Sequence, residues 1–127
     1  MRTALTALTA AALLVAVPAT AAPGDRRAFK GETSEGGNVQ FKISKNGKRV
    51  VRFRFANRCP ADSPKGTLVP GRFKIRRGGT GLLKFRHKDS QFTIRGRFVS
   101  GDTAKGSAQN DTGDCHSGKL KWTATAR

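Results

Sequence analysis

Apolar side chains alternate with polar, mostly basic ones along most of this 127-residue chain. In the first such segment, Val39, Phe41 and Ile43 occupy one parity, whereas the side chains between them are polar. The same period of two recurs at residues 51–55, 72–76, 83–86, 92–98 and 119–124. A period of two is typical of β-strands, because successive side chains point to opposite faces of a sheet. No amphipathic helix pattern follows the N-terminal segment, so the alternation predicts antiparallel strands that bury one face.

The number of these segments limits the fold. Seven or eight strands that carry Phe, Ile, Val and Trp side chains cannot bury their apolar faces in a single open sheet. We therefore predict an all-β fold, an antiparallel β-sandwich or small barrel of seven to eight strands. Trp122 follows the second cysteine, which argues against an immunoglobulin pattern. Residues 103–109 are small and polar and predict a strand at the edge of the sheet.

Two glycine-containing loops predict the register of their hairpins, because both strands must turn their apolar parity inward. A three-residue loop at 45–47 would place Phe41 opposite Val51. The same rule predicts a three-residue loop at 78–80 in a second hairpin, which would place Phe73 opposite Phe85.

The N-terminal residues have the features of a signal peptide. A basic start is followed by an apolar run from Ala4 to Val17 and by the small-residue triplet Ala19-Thr20-Ala21, which signal peptidase reads. We predict three segments: a signal peptide at 1–21, a short lead-in at 22–27 and a single β domain at 28–127. This division predicts a secreted protein, and retention at the cell wall is an open alternative.

The two cysteines of the chain are expected to be oxidised, because exported proteins meet an oxidising environment. We predict a disulfide between Cys59 and Cys115. Cys115 and His116 are adjacent and Cys59 has no ligand-type neighbour at metal spacing, so we expect no metal site and no cofactor. The acidic segment 111–114 lacks the length and charge of a calcium loop, and we expect an ordinary turn there.

Turn glycines, core aromatic residues and the cysteines form one set that extends from residue 29 to residue 124. Its motifs are Gly31-x-Thr33-Ser34-x-Gly36-Gly37-x-Val39-x-Phe41, Cys59, Gly71-x-Phe73, Gly96-x-Phe98 and Cys115-x-Ser117-Gly118-x-x-x-Trp122-x-Ala124. In these motifs the chain resembles small secreted β-domain proteins of actinobacteria. The resemblance implies a secreted β-domain architecture and indicates no particular activity or site.

Basic side chains dominate the outward parity of the predicted strands. The chain has 25 Lys and Arg against 8 Asp and Glu, a formal charge of +17. Like charges that face each other across a sheet are unfavourable, so an anionic partner would stabilise such a face by neutralising it. The predicted anion-binding face consists of Arg52, Arg54, Arg72, Lys74, Lys84, Arg86, Arg95, Arg97, Lys119 and Lys121.

This face predicts a secreted, non-enzymatic protein that binds an anionic polymer or surface. The candidate partners are a cell-wall polymer, anionic lipid headgroups and non-specific nucleic acid. We expect a monomer with no spanning membrane segment after signal removal. Most Phe side chains and Trp122 fall on the buried parity and the chain has no Tyr, which argues against stacking on bases or sugars. The alternative is that the charge only keeps the protein soluble.

Two other functions stay open. A small rigid β-scaffold suits an inhibitor or effector that binds another protein, with the Pro-rich loop at 59–64 as its contact. A small hydrolase would use His87 and His116 as acid and base. No sequence motif brings these two histidines together, so we expect no enzymatic activity.

Overall fold

A computed structural model describes residues 27–59 and 66–127. The predicted signal peptide, residues 22–26 of the lead-in and residues 60–65 lie outside the described residues. The described part forms eleven strands. The strands are β1 (Ala28–Thr33), β2 (Asn38–Ile43), β3 (Arg49–Phe55), β4 (Thr67–Leu68), β5 (Arg72–Lys74), β6 (Arg76–Arg77), β7 (Leu83–Lys88), β8 (Phe92–Phe98), β9 (Thr103–Thr112), β10 (Cys115–His116) and β11 (Leu120–Ala126).

The antiparallel sheet closes on itself. Ile75 alone separates β5 from β6, and β5 pairs with β3 whereas β6 pairs with β7. Neighbours around the ring are β1, β2, β3, the β5–β6 pair, β7, β8, β9 and β11, and β11 pairs with β1. Short strand β4 extends the edge of β3, and β10 pairs with the end of β9. The predicted all-β antiparallel fold is confirmed, in its small-barrel form with eight positions around the ring. The strands number eleven instead of the predicted seven to eight, because β4, β6 and β10 are two residues long and too short to show an alternation of their own.

The apolar parity fills the interior, as predicted. All eight phenylalanines and Trp122 are buried. Their rings pack in contact across the barrel, with 5.6 Å between the ring centroids of Phe41 and Phe53 and 6.1 Å between those of Phe85 and Trp122. Each fully buried large side chain contributes about 1.5–3 kcal/mol, so this aromatic interior is the main stabilising element of the fold. Outward positions are thereby left to polar side chains.

The first hairpin differs from the predicted register. The Ser44 N–H donates to the Arg49 carbonyl, so four residues rather than three form the loop, and Val50 rather than Val51 is buried opposite Ile43. The register then shifts between Gln40 and Lys42. At the shift Arg52 adopts a φ of 55°. A β-bulge at this position restores the inward parity for the rest of β3, so the prediction of Phe41 opposite Val51 is wrong.

The second hairpin keeps its three-residue loop but shifts it by one residue. The Gly78 N–H donates to the Leu82 carbonyl, which leaves residues 79–81 as the loop. Phe73 is paired with Val50 of β3 instead of Phe85. The predicted pairing with Phe85 is therefore wrong, because the chain changes neighbours at Ile75.

Strand β9 lies in the interior of the sheet, not at an edge. It pairs with β8 on one side and with β11 on the other. Its inward residues Ala104, Gly106 and Ala108 are small, and both alanines are fully buried. The edge prediction is wrong, because hydrogen-bonded neighbours on both sides leave β9 without an open edge.

Candidate anion-binding groove

Two rows of side chains, most of them basic, cross the outer face of five neighbouring strands, and each row crosses four of them. In the first row Arg76 pairs with Lys84, Lys84 with Arg97, and Arg97 with Lys105. All four residues are exposed. Adjacent strands lie about 4.8 Å apart, so the backbone positions that carry these four cations follow one another at about that spacing.

The second row runs parallel to the first. Arg86 pairs with Arg95, Arg95 with Ser107, and Ser107 with Lys121. The Ser107 hydroxyl interrupts the charges with a neutral group that can donate a hydrogen bond. Lys119 is exposed just before β11 begins.

A groove with a volume of about 800 Å³ lies between and around these rows. Its lining includes Gly96 and Gly106, which face each other across β8 and β9, together with Phe85 and Trp122, whose side chains are buried. The absence of a side chain at Gly96 leaves room for the Phe85 ring, and its absence at Gly106 leaves room for the backbone of β8. The basic lining residues of the groove are Arg76, Lys84, Arg86, Arg95, Arg97, Lys105, Lys119 and Lys121.

No acidic residue lines the groove among the residues that the structure describes. The ion pairs within residues 27–59 and 66–127 lie elsewhere: Arg27–Asp102, Arg58–Glu35, His87–Asp89 and His116–Asp111. The eight groove cations therefore face each other without intramolecular compensation in this part of the chain. Their mutual repulsion in the free protein is the electrostatic term that a bound anion would remove.

A second, smaller recess lies on the outer face of β1, β2 and β3. It has a volume of about 250 Å³. Four cations line it, Lys30, Lys42, Arg52 and Arg54, together with the side-chain amide of Gln40. Arg54 is half-buried opposite Gln40, whereas the other three cations are exposed. The bulge that corrects the hairpin register thus also sets Arg52 at the rim of this recess.

The ten predicted site residues do not form one flat face. Six of them, on β7, β8 and β11 or next to β11, line the groove, and two line the recess. Arg72 and Lys74 are exposed on β5 and line neither. The groove residues that the prediction omitted are Arg76 and Lys105. Lys105 was missed because its strand has small inward residues and no strong apolar alternation.

The two histidines each contact an aspartate of their own. His87 Nε2 lies 2.7 Å from Asp89 Oδ2, and the His87 ring stacks on Phe73 at 4.7 Å. His116 Nδ1 lies 2.9 Å from Asp111 Oδ1. The hydrogen bond from His116, followed by that from the Gln109 amide, holds the pKa of the Asp111 carboxyl below its ordinary value. Neither histidine lines the groove or the recess.

The disulfide forms as predicted, between Cys59 and Cys115, with 5.8 Å between their Cα atoms. Beside it the buried Asn110 side chain donates to the Cys59 carbonyl and to Asn57 Oδ1. Its own Oδ1 accepts hydrogen bonds from Thr112 Oγ1 and from the Gln91 amide. These four hydrogen bonds of the Asn110 side-chain amide hold Asn57 and Cys59 against the end of β9.

The acidic segment 111–114 divides between strand and turn. Asp111 belongs to the end of β9 and contacts His116, and a turn with Gly113 at a φ of 57° follows it. In the described ranges no three His, Cys, Asp or Glu side chains come together in a way that could hold a metal ion. The loop at 59–64, apart from Cys59, lies outside the described residues.

Comparison of the chain with protein-family models, with curated proteins and with solved structures finds no match. Within residues 27–59 and 66–127, no helix has the length and apolar character needed to cross a membrane.

Proposed function

We propose that this is a secreted, non-enzymatic protein that binds an anionic polymer in the groove between β6 and β11. The observation that supports the proposal is the pair of cross-strand rows in which Arg and Lys face Arg and Lys without an acidic partner in the described part of the chain. A surface whose charge served only solubility would usually carry positive and negative side chains side by side. A polymer that carries a negative charge on every unit replaces the repulsion by attraction and releases its own counterions.

The groove chemistry favours recognition of charge over recognition of bases or sugars. The aromatic residues in its lining, Phe85 and Trp122, are each 2% exposed. They therefore offer no open ring face on which a base could stack. Phosphate or sulfate groups need only the guanidinium and ammonium groups that this groove supplies.

The proposal is tested by reversing one charge in each row, with Arg86→Glu combined with Arg97→Glu. Binding of inorganic polyphosphate to the native protein should weaken steeply with added salt, and the double variant should bind at least about tenfold more weakly at low salt. The variant should fold at least as stably as the native protein, because each new Glu faces Arg or Lys across the sheet. Isothermal titration calorimetry and thermal unfolding measure the two effects.

The matched control is Lys45→Glu combined with Lys48→Glu. Both lysines are exposed in the loop between β2 and β3, and neither lines the groove. The control changes the net charge by the same amount and should lose much less affinity. Equal losses in the two double variants, or binding that does not depend on salt, would show that the groove is not the site. Absence of binding to any polyanion would leave the charge with a role in solubility alone.

A further inference from the structure

The groove and the recess lie on opposite walls of the barrel. Strand β8 runs through the middle of the groove and β2 through the middle of the recess. These two strands are four positions apart in a ring of eight. A ligand that contacts both surfaces must therefore pass around the barrel.

A basic path connects the two surfaces on one side of the ring. Arg72 and Lys74 are exposed on β5, between groove and recess, and Lys74 pairs with the exposed Arg49 of β3. Strands β2 to β8 contain no Asp or Glu. From the groove to the recess, an anionic chain would thus meet positive charge at every strand.

The path is interrupted on the other side of the ring. Here β11 meets β1, with Thr123 opposite Glu32 and Thr125 opposite Lys30. The two threonines are neutral, and Glu32 is exposed. Over the residues that the structure describes, a basic band therefore begins at β11, passes through β9, β8, β7 and the β5–β6 pair, and ends in the recess on β3, β2 and β1.

We propose that one flexible phosphate polymer wraps around the barrel along this basic band and occupies the groove and the recess together. This inference rests on the proposed function and specifies its ligand as a flexible single chain. Duplex DNA has a persistence length of about 50 nm, so bending it around so narrow a barrel is costly. A flat lipid surface would touch only one wall. A single-stranded phosphate chain bends freely and needs no base contacts.

The test compares polyphosphate chains of two lengths. A chain of about 20 Å spans the groove, which covers four strand spacings, whereas the whole band covers seven spacings, or about 34 Å measured across the strands. The recess is disabled by Lys30→Glu combined with Lys42→Glu, both at exposed positions. We expect this variant to bind a polyphosphate chain of about 50 Å roughly tenfold more weakly and to bind the short chain as the native protein does. The variant Lys45→Glu with Lys48→Glu is the charge-matched control.

Duplex DNA and stoichiometry complete the experiment. Affinity for duplex DNA should be much less sensitive to the recess variant than affinity for the long polyphosphate, and one long chain should saturate one protein. Unchanged affinity of the recess variant for the long chain would overturn wrapping while leaving the groove as a site. Two long chains per protein would also overturn it, since the protein would then bridge separate polymers. Failure of the native protein to bind either polyphosphate chain would instead remove the proposed function itself.

Discussion

At the scale of single residues, two positions in the groove lining, Gly96 and Gly106, have no room for a side chain. A Cβ atom at Gly96 would overlap the ring of Phe85, and one at Gly106 would overlap the backbone carbonyl of Arg95. Both glycines lie on the inward parity of their strands, at positions where an alternating sequence would ordinarily place an apolar side chain. The absent side chain of Gly96 makes room for the Phe85 ring, and that of Gly106 lets the backbone of β8 approach closely.

Replacement of Gly96 should therefore destabilise the protein although the new side chain is small. We expect Gly96→Ala to lower the free energy of unfolding by about 1–3 kcal/mol, because the added methyl group overpacks the space that Phe85 fills. Gly79→Ala is the control: a Cβ there has no neighbour within 4 Å, and a surface change of this kind alters stability by about 0.5 kcal/mol or less. Urea unfolding measures both. Equal stabilities of the two variants would contradict this packing of Phe85.

At the scale of the element, the turn between β7 and β8 is organised by one carboxylate. Asp89 Oδ1 accepts hydrogen bonds of 2.7 Å from the backbone N–H groups of Phe92 and Gln91, and Oδ2 faces His87. The N–H of Phe92, followed by that of Gln91 and by the His87 side chain, holds the pKa of Asp89 below its ordinary value. The histidine that suggested catalysis thus contributes to a turn.

This lowered pKa predicts the sign of a pH effect. A carboxyl whose pKa is lower in the folded state stabilises the fold above its unfolded pKa, and the contribution is lost as the pH falls through the folded value. Asp89→Asn should therefore be less stable than the native protein at neutral pH, and the difference should shrink below about pH 4. Urea unfolding across a pH series measures this difference. A difference that stays constant down to pH 2 would show that the charge of Asp89 is irrelevant to the turn.

At the scale of the whole molecule, hydrogen bonding closes the barrel and the disulfide ties one loop to it. Cys59 follows β3, Cys115 lies in β10, and 56 positions separate them. The bond restricts the unfolded chain across half of the barrel. The groove is built on β6 to β9 and β11, and neither cysteine lines it.

Reduction should consequently weaken the fold without removing the groove. The chain-entropy model gives about 4 kcal/mol for a closed loop of this size, so the melting temperature should fall by many degrees. Polyphosphate affinity, measured well below the new melting temperature, should stay close to that of the oxidised protein. Loss of affinity in a reduced but folded protein would show that the region around Cys59 and Cys115 belongs to the binding site.

Local sequence patterns predicted those features of the site that depend on parity. The outward direction of Arg86, Arg95 and Arg97 follows from the buried side chains that alternate with them. The register of the first hairpin could not be obtained in this way, because a bulge at Arg52 lets two loop lengths satisfy the same inward parity. Strand β1 was not predicted, since Phe29 is its single large apolar side chain.

The sequence by itself determined most of the side chains that point inward, with Val50 in place of Val51 as an exception, together with the excess of positive charge on the outside and the oxidised cysteine pair. These properties depend on a period of two and on composition, which each short segment carries alone. Only the tertiary structure decided that β5 and β6 join β3 to β7, because that contact depends on a change of neighbours at Ile75. Closure of the sheet turned the predicted face into a groove, a recess and a path between them. Arg76 and Lys105 join the groove through the register of their hairpins, which sets them opposite Lys84 and Arg97, since strand register decides which outward side chains are neighbours and local alternation does not.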